Sequence, residues 1–251
     1  MISEFIEELG AIFILTWKTI VAVFNGEGEW REILRQMVRV GVESVPVVTL
    51  TTAFAGMVLA LNSYIGFSRM GAGDYTGSVV GVALAKELIP VLTGIVIAGR
   101  VGAAITAEIG TMKVSEQIDA LYTLNTDPIS YLVLPRFIAS IFMLPVLTLY
   151  GDGIGNLGAY FVAVYVMKVN PIIYNQYLYM YLEPWDIFTG LIKAFSFGAI
   201  IAAVGCYKGL STEGGAEGVG KATTSSVVIS SITILIADFI WGKILPWTLR
   251  G

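Results

Sequence analysis

The sequence predicts an all-α integral membrane protein with five transmembrane helices, and three observations carry that prediction. Apolar residues make up 56% of the 251-residue chain and charged residues 14%, against about 25% charge in an ordinary soluble domain. Mean hydropathy is +0.78. The apolar residues gather in runs long enough to cross hydrocarbon, which takes roughly 20 helical residues for about 30 Å. Intrinsic disorder is excluded by the same composition. Histidine is absent and Cys206 is the single cysteine, so His-based catalysis, an intrachain disulfide and a cysteine-cluster zinc site are excluded. A net charge of −4 leaves no basic footprint for nucleic acid.

Two amphipathic stretches occupy residues 1–43. The first puts Phe5, Leu9, Ile12, Phe13, Ile20, Val21 and Phe24 on one helical face and Glu4, Glu7, Glu8, Ala11 and Lys18 on the other. The second repeats Arg31, Arg35 and Arg39 at every fourth position, with Trp30, Ile33, Leu34 and Met37 opposite. Both read as helices lying in the membrane interface. Glu4, Glu7 and Glu8 stand where a signal peptide would be basic.

The membrane domain follows over residues 44–251. Residues 44–68 form the one span free of charge; the others are 76–108, 129–167, 184–206 and 222–247. The run 137–167 would measure about 46 Å as a helix. That is too short for a hairpin of two spans, so one long helix, tilted or kinked near Pro145 and Gly151, is expected. With the N-terminus inside, Lys18, Arg31, Arg35, Arg39, Lys113, Arg136, Lys208 and Lys221 fall on the cytoplasmic side, against Arg69, Lys168, Lys243 and Arg250 outside. The bias favours N-in, C-out.

Between the second and third spans, Ser115 fits a helix N-cap with Glu116 in the first turn. Val114, Ile118 and Leu121 share a face, and Pro128 closes the segment. Such a short amphipathic helix either floats at the interface or docks into a groove on a soluble partner.

Charges inside apolar runs need a reason, because each is costly unless paired or wetted. Lys86, Glu87 and Arg100 lie in the second span, beside Gly94, Gly99, Gly102 and Gly110, which thin the helix for close packing. A packed core around a wetted cavity and a set of snorkelling charges both fit. Glu87 is expected to face a wet or polar cavity. Lys193 and Asp238 lie at equal depth in spans four and five, about 14 Å from the outer boundary. They are expected to form an ion pair, with Asp152 competing for Lys193; the alternative is a lone snorkelling lysine.

Two look-alikes are set aside. Gly215-Ala-Glu-Gly-Val-Gly220-Lys221-Ala222 lacks the final hydroxyl residue of a P-loop and the strand before it. Gly153-Ile-Gly155-Asn-Leu-Gly158 matches G-x-G-x-x-G but lies inside an apolar run with no βαβ unit.

The run Glu87-Leu-Ile-Pro-Val-Leu-Thr, then Ala98-Gly-Arg-Val-Gly-Ala-Ala-Ile-Thr-Ala-Glu-Ile-Gly-Thr-Met and Ser115-Glu-Gln-Ile-Asp-Ala-Leu, resembles the MlaE/YrbE permease family. So does Glu217-Gly-Val-Gly-Lys-Ala-Thr-Thr224 followed by Val227-Val228. The resemblance spans essentially the whole chain. It implies a single permease domain, a homodimer, and membership of an ABC transporter working with a periplasmic MCE-domain protein in the bacterial inner membrane. It implies contact with an ATPase through Ser115, Glu116, Gln117, Asp119 and Leu121. It also implies a phospholipid cavity at the dimer interface lined by Leu59, Asn62, Tyr64, Ile65, Phe67, Lys86, Glu87 and Leu88. No cofactor is expected on this chain, with ATP and magnesium on the partner ATPase. The resulting expectation is a non-catalytic subunit moving phospholipid or a similar lipid. A secondary transporter or channel would need inverted repeats or a row of intramembrane charges, and a lipid enzyme would need catalytic carboxylates or G-x-S-x-G.

Overall fold

The computed structural model describes residues 2–25 and 28–249, and five of its helices are long and apolar enough to cross a membrane. In chain order the helices are α1 (Ile2–Phe24), α2 (Trp30–Val40), α3 (Val45–Ser68), α4 (Gly73–Val114), α5 (Gln117–Thr123), α6 (Ile129–Val166), α7 (Pro171–Tyr181), α8 (Pro184–Leu210) and α9 (Gly215–Leu249). No strand occurs among the described residues.

Helix α6 is the centre of the bundle: 67% of its most apolar stretch is buried, against 28% for the run through α3 and 11% for α9. It packs along α3 and α8, while α8 packs along α9 and the C-terminal half of α4. The core they share includes Ile97, Ile105, Ile109, Leu144, Leu147, Phe197, Ile201 and Ile234. Close helix approach depends on bare backbone. A Cβ on Gly56 would lie 2.0 Å from the Gly155 carbonyl, and one on Gly158 would lie 2.6 Å from that of Ala53. The dinucleotide look-alike is therefore part of the α3–α6 crossing, as small residues in spans usually are.

Span three is a single helix across Ile129–Val166 with Pro145 inside it. Span two runs beyond residue 108 to Val114 and is interrupted by two wide π turns, Leu84–Leu88 and Ala98–Gly102. Span five starts earlier than residue 222: the P-loop look-alike is the first two turns of α9, where Lys221 pairs with Glu217 at 2.7 Å. Those residues form helix, not a phosphate cradle.

The N-terminal helices depart from a simple two-faced reading. Helix α1 docks through Leu15, Thr19 and Ala22, which are buried, with Ile12 and Ile20 packed on Phe137, Ala202 and Ala203. Phe13, Val21 and Phe24 are exposed instead, because α1 is apolar on both sides. Glu8 is not on a solvent face but paired with Lys208. The side chains of Glu4, Phe5 and Leu9, the flank of Trp247, and Arg250 lie outside the described residues. Helix α2 joins α3 through a single tight turn, Val42–Ser44, rather than a loop.

Helix α7 is absent from the sequence reading. Asn170 caps it, accepting from the Ile172 amide at 2.9 Å, with Pro171 in the first turn. This is a strong start signal. Tyr174 is fully buried against Gly77, and its ring meets Tyr160 edge-on at 5.5 Å.

Candidate functional site

The first π turn of α4 carries Lys86 and Glu87. A π turn widens the helix and is often kept at functional positions. Both side chains reach α8, seven residues apart along it. Lys86 Nζ lies 3.3 Å from Asp186 Oδ1, and Glu87 Oε2 lies 2.5 Å from Lys193 Nζ.

Asp186 has a second job. It closes a reciprocal cap at the start of α8, accepting from the Glu183 amide at 3.2 Å while the Glu183 side chain accepts from the helix backbone. The cap holds Asp186 rigidly in front of Lys86. The sequence reading left Asp186 out, although Glu183-Pro184-Trp185-Asp186 carries the spacing of a capping box.

Lys193 is fully buried and touches two carboxylates, Glu87 and Asp238, the latter at 2.9 Å. The anticipated pair is thus part of a three-member cluster joining α4, α8 and α9. Asp152, the expected competitor, is buried on α6 with both carboxylate oxygens unpartnered. Trp241 donates to Ser196 Oγ at 2.9 Å, one turn from Lys193, and also ties α9 to α8.

Above this cluster lies a cavity of about 610 Å³ lined by Tyr75, Ser78, Val79, Val82, Ala83, Lys86, Glu87, Tyr181 and Asp186. Helix α4 contributes the apolar Val79, Val82 and Ala83 together with Tyr75, Ser78, Lys86 and Glu87, and α8 contributes Asp186. Tyr75 packs against Tyr177 of α7 with ring centroids 4.5 Å apart and planes tilted by 39°, and Tyr181 of α7 forms part of the rim.

Of the eight expected lining residues, only Lys86 and Glu87 line this cavity. Leu59 and Leu88 pack against Ala60, Val80, Leu84 and Ile89, and Tyr64 packs toward Tyr174. Asn62 and Ile65 are exposed and Phe67 is half-buried. Within one chain the end of α3 meets Leu84 and Leu88 of the π turn in an apolar cluster, while Lys86 and Glu87 point to the cavity.

The opposite end of α4 carries Arg100 in the second π turn. Its guanidinium donates to Ser44 Oγ at 2.7 Å and pairs with Glu43 at 3.2 Å. Glu108 pairs with Arg39 of α2 and with Arg136 of α6, the latter at 3.0 Å. Arg100 is therefore held by partners, not snorkelling alone. Gly94, Gly102 and Gly110 face Phe197, Ile201 and Thr212, whereas Gly99 faces open space.

Next to this network stands α5. Its start differs from expectation: Ser115 does not cap it but donates back to the Thr111 carbonyl at 2.7 Å, ending α4. Glu116 takes a left-handed conformation, φ 60°, that turns the chain into α5. Asn125, also left-handed, ends the segment before Pro128 is reached. Ile118 is buried in the main core and Leu121 packs against it, while Ser115, Glu116, Gln117 and Asp119 face outward. Asp119 lies 3.2 Å from Lys113.

The family model described as Permease MlaE matches residues 33–244 of this chain. A probable ABC transporter permease protein of Rickettsia conorii is 48% identical over 94% of this chain and 92% of its own length. A probable ABC transporter permease protein of Synechocystis is 44% identical over 95% and 90%. Protein TRIGALACTOSYLDIACYLGLYCEROL 1, chloroplastic, of Arabidopsis thaliana is 42% identical, covering 95% of this chain and 68% of its own.

Proposed function

The chain belongs to the MlaE family of ABC transporter permeases, and on that footing we propose that its cargo is a phospholipid or a similar lipid. The observation that carries this reading is the cavity at the outer half of α4. An apolar wall of Val79, Val82 and Ala83 suits acyl chain, and the Lys86–Asp186 and Glu87–Lys193 pairs at its edge suit a polar headgroup. Pockets for small ligands are mostly apolar with a few placed polar groups. The name of the Arabidopsis relative, which contains that of a galactolipid, agrees with a lipid cargo.

In this reading the chain works as a homodimer in the bacterial inner membrane, N-terminus inside. ATP and magnesium bind a separate ATPase subunit, and lipid passes to or from a periplasmic MCE-domain protein. The cargo test is purification with its partners and mass spectrometry of the bound lipid. Ala83→Trp should fill much of the cavity and reduce bound lipid severalfold while leaving the fold intact. Undiminished lipid in Ala83→Trp would move the cargo site elsewhere.

The outward face of α5 is the proposed ATPase contact. Ile118 anchors the helix in the core, which leaves Glu116, and Asp119 paired with Lys113, on the outward face. The charge-reversed variant Glu116→Lys/Asp119→Lys should fold and insert but lose most stimulation of ATP hydrolysis by lipid. Full coupling in that variant would exclude α5 as the contact.

A further inference from the structure

Helix α2 presents three stripes. Ile33, Gln36 and Val40 are buried, facing α6 and the bundle. Trp30, Leu34 and Val38, one turn apart, are 67%, 47% and 52% exposed, and Val42 continues the row. Arg31, Arg35 and Arg39 form a third row, all exposed. At 100° per residue the exposed apolar row and the basic row adjoin, about 80° apart, and each lies roughly 140° from the buried row.

An apolar stripe bordered by arginines is what a helix at a bilayer surface presents: acyl chain against the apolar row, phosphate against the basic one. Position agrees, since α2 leads through one tight turn into the first span. The local acids offset part of the charge and leave Arg31 with no acidic partner among the described residues. Glu32 pairs with Arg35, and Glu108 is shared between Arg39 and Arg136. A cavity of about 610 Å³ beside α2 is lined by Arg35, Arg39 and Arg136 against those two carboxylates.

We propose that α2 is a docking surface for anionic phospholipid in the leaflet at its end of the bundle, separate from the cavity proposed for cargo. Arg31 and Arg35 would engage the phosphates, with Trp30, Leu34 and Val38 among the acyl chains. Basic residues beside an anionic leaflet each add attraction that weakens with salt.

The test reconstitutes the full-length permease in equimolar phosphatidylcholine and phosphatidylglycerol. Co-retained lipids are then counted by native mass spectrometry after detergent extraction. The expected result is a preference for phosphatidylglycerol on the order of tenfold, falling toward parity at high salt. The preference should vanish in Arg31→Gln/Arg35→Gln and persist in Arg31→Lys/Arg35→Lys. Ala83→Trp should leave it unchanged. Parity in the wild type, a preference insensitive to salt, or an unaltered preference in the glutamine variant overturns the proposal. So does its loss in Ala83→Trp, which would place the selected lipid in the outer cavity.

Discussion

Replacing Lys193 with methionine is expected to destabilise the permease by about 3–5 kcal/mol, the usual range when one member of a buried charge cluster is removed. The ammonium is fully buried and serves both Glu87 and Asp238. Its loss leaves Asp238 with no cation, 20% exposed, and Glu87 with only the cavity to wet it. Asp238→Asn should cost less, because Glu87 still balances the lysine. The double variant Lys193→Met/Asp238→Asn should recover much of the first loss, since the one remaining charge is the half-exposed Glu87. Unfolding in mixed micelles followed by circular dichroism measures all three. Strictly additive losses would show that the cluster is not an energetic unit.

The second large effect is steric. In Gly56→Ala the new methyl would sit 2.0 Å from the Gly155 carbonyl, a backbone atom that cannot swing aside. The α3–α6 crossing must open, losing contacts along both helices; overpacking of this kind costs about 1–3 kcal/mol and at times more. Gly153→Ala, two positions from Gly155 but with nothing within 4 Å, is the matched control. It should gain up to about 1 kcal/mol from helix propensity. Melting temperature and the monodisperse fraction in detergent separate the two variants. Equal behaviour would mean that the crossing tolerates separation.

The five spans were legible because hydrocarbon thickness imposes a length that composition reveals directly. Helix ends were less so. Glu108 looked like a boundary because charge usually marks one, yet Arg39 and Arg136 neutralise it and the helix continues to Val114. Ser115 and Glu116 carried a start signal, but a hydroxyl that can cap one helix can equally back-bond to the one before it. The Lys193–Asp238 contact followed from depth alone, whereas Glu87's share in it did not. Helical phase assumes 100° per residue, and a π turn breaks that assumption where Glu87 sits. Helix α7 was missed because it is too short and too rich in tyrosine to resemble a span, although its Asn-Pro start was readable.

The two π turns of α4 also amount to a phase correction. A π turn holds about one residue more than the α turns around it, so each shifts the helical azimuth by roughly 100°. Span two is therefore three short α segments with separately set bearings. The first addresses α7 and α3, the middle one α6, α8, α9 and α3, and the last α8 and α9. In a straight amphipathic helix the apolar stripe would drift steadily instead of stepping between these neighbours. Deleting one residue within Leu84–Leu88 would restore regular α geometry locally. It would also turn the first segment away from α7 and break the alignment of Lys86 with Asp186. In this span the number of residues between charges, more than their identity, decides which neighbour each charge meets.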